Sequence, residues 1–173
     1  MSLAERAIIG ESFVGDGAEA AHVNVVVGRK GGPVETAWAT ALATPRMGHA
    51  PFVTVIRPNV PVLPLTLFVN KAAMQNEKHG NLTWGAAQAG VASGVAAAVA
   101  EGLIPADEAH NLLCIAAVWV NPDAGDEEAV FANNRTSARN AIEAAVRSTP
   151  GVEEMLEHRD APANPFYSAG SGS

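Results

Sequence analysis

Apolar and polar residues alternate loosely through residues 5–14 (ERAIIGESFV), the period of a strand whose two faces meet different surroundings. GDG at 15–17 is a turn signal, and residues 21–28 (AHVNVVVG) predict a second strand. RKGGP breaks the chain again. Pro33 suits the first turn of a helix, PVETAWATALAT, which carries Glu35 near its positive end and sets Val34, Ala37, Trp38 and Ala41 on one stripe. APFVTVIRP (50–58) predicts a third strand. PNVPVLP, with three prolines in seven residues, reads as a rigid extended connection. LTLFVNK (65–71) predicts a fourth strand, and Asn76 to Thr83 is polar, a loop or the first turns of a helix.

The second half of the chain is richer in small residues. WGAAQAGVASGVAAAVAEG (84–102) predicts a helix in which Gly85, Gly90 and Gly94 each cost about 1 kcal/mol against alanine. That cost calls for a close neighbour: a sheet, a ligand or another helix. Gly102 fits the helix stop, and Pro105 starts a predicted short helix, PADEAHN. LLCIAAVWV (112–120) is continuously apolar, as a central strand is. PDAG turns the chain into a last long helix, 126–147, with Val130, Ala138, Ala141, Ile142 and Ala145 facing inward. Five strands and three substantial helices predict an α/β fold, a two-layer sandwich with a mixed sheet and helices on one face. Residues 1–166 are expected to form one domain, with 167–173 a flexible tail ending in SAGSGS.

Composition narrows the function classes. The net charge of −7 and the lack of a Lys/Arg cluster argue against nucleic-acid binding. The single cysteine, Cys114, lies inside an apolar run, where a thiol packs and stays protonated. The first residues, MSLAERAIIG, hold no apolar stretch of signal-peptide length, and no uninterrupted apolar run reaches membrane-spanning length, so a cytoplasmic protein without membrane contact is expected.

No phosphate-binding glycine loop, nucleophile elbow or zinc-type spacing is present. The five histidines, His22, His49, His79, His110 and His158, do not pair at helical spacing. The one positional signal is alternation. His22 and Asn24 share a strand face, and Lys71 and Ala73 share one at the end of the fourth strand. By spacing alone, a solvated rim histidine explains this better than a site does.

A more specific pattern covers nearly the whole chain. GESFVGDGAEAAHVNVVVG, PVETAWATALA, PNVPVLPLTLFVNK, WGAAQAGVASGVAAAVAEGLIPADEAHNLL and HRDAPANPF run in register from about Gly10 to Phe166. As an ordered set these segments resemble the formaldehyde-activating enzyme family. The resemblance implies a two-layer α/β sandwich like the second domain of a small-subunit ribosomal protein. It implies condensation of formaldehyde with tetrahydromethanopterin to methylene-tetrahydromethanopterin and water, with no metal or redox cofactor. It further implies a homopentamer that binds the pterin between neighbouring subunits. The family's proton donor falls on His22, and its pterin contacts fall on Asn24, Val53, Lys71, Ala73 and Gln88.

The implied chemistry suits histidine. A pterin nitrogen attacks formaldehyde, and the resulting hydroxyl leaves well only when protonated; histidine exchanges protons near neutral pH. The chain departs from the pattern at three contacts. The family typically has aspartate at Asn24, threonine at Ala73 and leucine at Val53. Asparagine accepts a hydrogen bond but brings no negative charge. Three readings follow: the condensing enzyme with altered pterin contacts, an enzyme for a related aldehyde or amine carrier, and a non-catalytic protein that binds pterin or formaldehyde for storage, transfer or sensing.

Overall fold

The structure, a computed structural model, describes residues 7–168. A five-stranded sheet is built from β1 (Ile8–Val14), β2 (Ala21–Arg29), β3 (Phe52–Val53), β6 (Leu65–Asn70) and β7 (Leu112–Trp119). Its order is β1-β2-β7-β6-β3. All neighbours are antiparallel except β6 and β7, which run parallel, so the sheet is mixed as expected. The continuously apolar β7 is the central strand. Its Leu112, Cys114, Ala116 and Val118 are buried in the main core, where burial pushes the Cys114 thiol up to about 12.

The helices are α1 (Pro33–Ala43), α2 (Glu77–Leu82), α3 (Gln88–Ala100), α4 (Glu127–Arg147) and α5 (Val152–Glu157). α4 starts at Asp126, whose carboxylate accepts from the Ala129 amide at 3.0 Å. All five of its predicted inward residues are buried, and it packs on β1, β2 and α3. Gly90 and Gly94 are where α3 meets α4. A methyl group on Gly94 would lie 2.4 Å from the Arg135 carbonyl oxygen, and one on Gly90 would lie 2.5 Å from that of Phe131. The helix therefore accepts poor intrinsic propensity for close backbone approach. Gly94→Ala is expected to destabilise the fold by about 1–3 kcal/mol through overpacking, despite a helix-propensity gain of about 1 kcal/mol. A urea midpoint at or above the wild-type value would contradict that.

The long helices α3 and α4 cover one face of the sheet, as expected. α1 lies on the opposite face: Gly28, on the side opposite the Val23–Val25–Val27 core row, is the residue that Val34 packs against. α1 crosses only one end of that face, so Val34 is buried, Trp38 and Ala41 are half-buried and Ala37 is exposed. Much of the second face stays open.

Several elements settle an expectation left open or differ from one. The helical run begins at Glu77, because Asn76 caps it by accepting from the His79 amide at 2.9 Å; a π turn at Thr83–Ala87 then leads into α3. Glu77–Ala100 is long and apolar enough to cross a membrane by length and composition, yet here its buried side packs against α4 and the core. The predicted strand 50–58 divides. Phe52–Val53 joins the sheet, whereas β4 (Val55–Arg57) folds back on β5 (Val60–Pro61) through Asn59, whose φ of 68° lets it turn where an extended connection was expected. Residues 105–111 form successive turns closed by three-residue hydrogen bonds, Glu108 to Pro105 and Asn111 to Glu108, in place of a helix. Ala163–Asn164 (β8) pairs with Tyr167–Ser168 (β9), so the first two residues of the expected tail belong to a hairpin. Residues 169–173 of that tail, and Glu5 and Arg6 of the first predicted strand, lie outside the described residues.

Candidate active site

The open sheet face carries the polar residues that the alternation singled out. Val23, Val25 and Val27 enter the core, which turns His22 and Asn24 to the other side. The strand register then sets their neighbours. On β1, Phe13 lies opposite His22 and Glu11 opposite Asn24; on β7, Trp119 lies opposite His22 and Ala117 opposite Asn24.

Lys71 arrives from two strands away. Asn70, the last residue of β6, is buried, and its side-chain amide donates to the carbonyls of Gly48 and Ala72 at 2.8 and 2.7 Å. His49 Nδ1 meets the Asn70 carbonyl at 2.8 Å, and the Lys71 amide continues the ladder to Val118. The asparagine thus anchors the strand end while the next side chain projects onto the open face. Ala117 is small, which lets the lysine stem cross β7 toward β2. There Lys71 Nζ donates to Asn24 Oδ1 at 2.6 Å and lies 3.3 Å from His22 Nδ1. On the far side of the ring, His22 Nε2 lies 2.8 Å from Glu11 Oε1.

The result is a row, Glu11–His22–Lys71–Asn24, in which the imidazole bridges a carboxylate and an amine. With Nε2–H donated to Glu11, Nδ1 is free to accept from Lys71; with both nitrogens protonated, Nδ1–H faces the amine. Lys71 is half-buried, and burial lowers its pKa from 10.5 to about 8, against the raising effect of the Glu11 charge. Its amine is therefore partly neutral near physiological pH.

Phe13, 6.0 Å from the His22 ring, and Trp119 wall a cleft of about 330 Å³ over His22, Asn24 and Lys71. Pro165 and Phe166 of the C-terminal hairpin close its outer side, with Phe166 edge-on to Trp119 at 6.3 Å. In the sequence Trp119 is one residue of the apolar run 112–120, and no pattern assigns a role to Glu11, Phe13 or Phe166. Only the β1–β2 register, set by the six-residue connection Gly15–Ala20, brings Glu11 and Phe13 to His22.

The other expected contacts lie elsewhere. Val53 and Gln88 line a separate cleft of about 370 Å³ beside Trp84, where Gln88 Nε2 donates to the Val55 carbonyl at 3.0 Å. β3 lies three strand positions from β2, roughly 14 Å at the usual spacing. Ala73 lines neither cleft and packs near Gly48. Within one chain, then, His22, Asn24 and Lys71 come together, and Val53 and Gln88 come together apart from them.

A family description, formaldehyde-activating enzyme, matches residues 9–167. A protein of Methanosarcina barkeri named 5,6,7,8-tetrahydromethanopterin hydro-lyase is 38% identical over 161 residues, covering 93% of this chain and 90% of that protein. The chain belongs to the formaldehyde-activating enzyme family. The bifunctional enzyme Fae/Hps of Methanosphaera stadtmanae is 39% identical over 158 residues, which are 91% of this chain and 39% of that longer protein. A bifunctional enzyme Fae/Hps of Methanosarcina barkeri is 40% identical over 149 residues, 86% of this chain and 38% of that protein. The formaldehyde-activating enzyme match takes in every residue of both clefts, from Phe13 to Phe166, and Glu11 as well.

Proposed function

We propose that this chain condenses formaldehyde with tetrahydromethanopterin, giving methylene-tetrahydromethanopterin and water, in the cytoplasm. The observation that carries the reading is the placement of His22: a half-exposed imidazole at a cleft, touching a carboxylate on one nitrogen and an amine on the other. The reduced pterin supplies the nitrogens that replace the aldehyde oxygen. That oxygen leaves as water, so the protein must deliver a proton to it, and His22 is the group in the cleft suited to do so. Glu11 holds the ring in place through Nε2 at 2.8 Å, and Phe13 and Trp119 flank it in the cleft.

The division into two clefts supports a site shared between copies. One copy offers His22, Asn24 and Lys71, and a neighbour offers Val53 and Gln88, with the carrier held between them. Exposed apolar side chains flank both: Ile9 and Phe13 beside the first, Trp84, Ile56 and Val60 around the second. Such residues suit burial against another copy, and a homopentamer closes a ring of identical interfaces of this kind.

The test is the rate at which methylene-tetrahydromethanopterin forms from its two precursors, above the spontaneous rate. Acceleration in proportion to protein is expected. Carrier binding without acceleration would favour the storage or sensing reading, which the neutral Asn24 makes the natural second choice.

A further inference from the structure

We propose that Lys71 is a nucleophile that captures formaldehyde as a covalent iminium, with His22 supplying the proton that expels water. The inference rests on the function proposed above for the identity of the aldehyde, and it goes beyond that function in assigning the protein its own covalent step.

The geometry carries it. A lysine nucleophile needs a lone pair, a route for its protons and a nearby acid. Lys71 Nζ directs one N–H to Asn24 Oδ1 at 2.6 Å, and a second can point to His22 Nδ1 at 3.3 Å. A neutral amine with both hydrogens so held keeps its lone pair for the cleft. Asn24 matters here because an amide oxygen orients the nitrogen without adding a negative charge that would retain the third proton. The charged and titratable groups facing the amine are His22 on β2 and Glu11 on β1, while Phe13, Trp119, Pro165 and Phe166 contribute no charge. The lowered pKa of about 8 agrees with this arrangement.

The step balances without an oxidant or reductant. The Nζ lone pair forms a bond to the aldehyde carbon, and the C=O π electrons move to oxygen. A proton passes from nitrogen to oxygen through His22 Nδ1, leaving Lys71 Nζ–CH₂–OH. His22 then takes up one proton from solvent and protonates that hydroxyl, the C–O bond breaks, and water departs as nitrogen forms the C=N⁺ bond. The net change is amine plus formaldehyde plus one proton to iminium plus water. An amine of the incoming carrier can displace Lys71 from that carbon, which restores the lysine.

Reductive trapping in the unaltered protein, without any pterin, tests the proposal. Formaldehyde and cyanoborohydride are added at neutral pH, and the digest is mapped by mass spectrometry for methylation at Lys30, Lys71 and Lys78, the three lysines of the chain. Lys71 is expected to be methylated about 10²-fold faster than the exposed Lys30 and Lys78, given about 8 against an ordinary lysine value of about 10.4. Its rate should rise with pH through about 8 and then level off, while the two exposed lysines continue to gain. Methylation of Lys71 no faster than that of Lys30 and Lys78 overturns the proposal. Trapping at Lys71 in a protein that does not accelerate pterin methylenation keeps the proposal and sinks the proposed function; accelerated methylenation without trapping does the reverse.

Discussion

Replacing His22 by alanine is expected to lower the protein-dependent rate of methylene-tetrahydromethanopterin formation by about 10²–10⁴-fold, the usual worth of a positioned general acid. The fold should survive. The His22 side chain is 36% exposed on the open face, and its partner Glu11 is more exposed still. An ion pair so placed contributes about 1 kcal/mol at most. The core beneath depends on Val23 and Val25, which the substitution leaves in place. Steady-state rates, with circular dichroism to check the fold, decide the matter. A folded variant with an unchanged rate removes His22 from the proton-donor role.

Asn24→Asp is expected to suppress trapping at Lys71. The substitution puts a carboxylate where an amide oxygen now lies 2.6 Å from Nζ. An opposite charge at such a distance raises a lysine pKa by about 1–3 units. With Lys71 near 8, about one tenth of it is neutral at pH 7; the variant lowers that fraction, and with it the trapping rate, by about 10–10³-fold. Lys30 and Lys78 serve as internal clocks and should not change. An unaltered Lys71 rate would mean that Asn24 does not govern the state of the amine. If condensation with the pterin speeds up while trapping falls, the carboxylate serves the carrier and the covalent route is not the productive one.

Much of the framework was legible because each layer repeats with its own period. The β2 alternation placed His22 and Asn24 on one face, and the glycines of 84–102 announced a close neighbour, which is α4 at Gly90 and Gly94. The continuous apolar run of β7 marked the central strand. What alternation could not supply was register. Glu11 reads as an ordinary exposed residue until pairing sets it opposite Asn24, and pairing depends on the backbone path through Gly15 and Gly17, both at positive φ. The Lys71–Asn24 bond was hidden for a related reason, since it spans two strands and needs the parallel β6–β7 pairing together with a small residue at Ala117. The resemblance supplied Val53 and Gln88 as contacts of the same ligand, but local pattern held nothing to say that one chain keeps them apart from His22. Phe166, far along the chain, reaches Trp119 only through the β8–β9 hairpin, whose two-residue strands are too short to show a period.

The central claim is that condensation takes place in a site made by two copies, with His22 from one and Gln88 from the other. Its most direct test is mixed assembly. His22→Ala and Gln88→Ala chains, each expected to be strongly impaired alone, are co-refolded in equal amounts and assayed for methylene-tetrahydromethanopterin formation. Random assembly of a closed ring gives about a quarter of the interfaces both native residues, so the mixture should regain about a quarter of the wild-type rate. A mixture no more active than the average of the two separate variants would contradict a shared site.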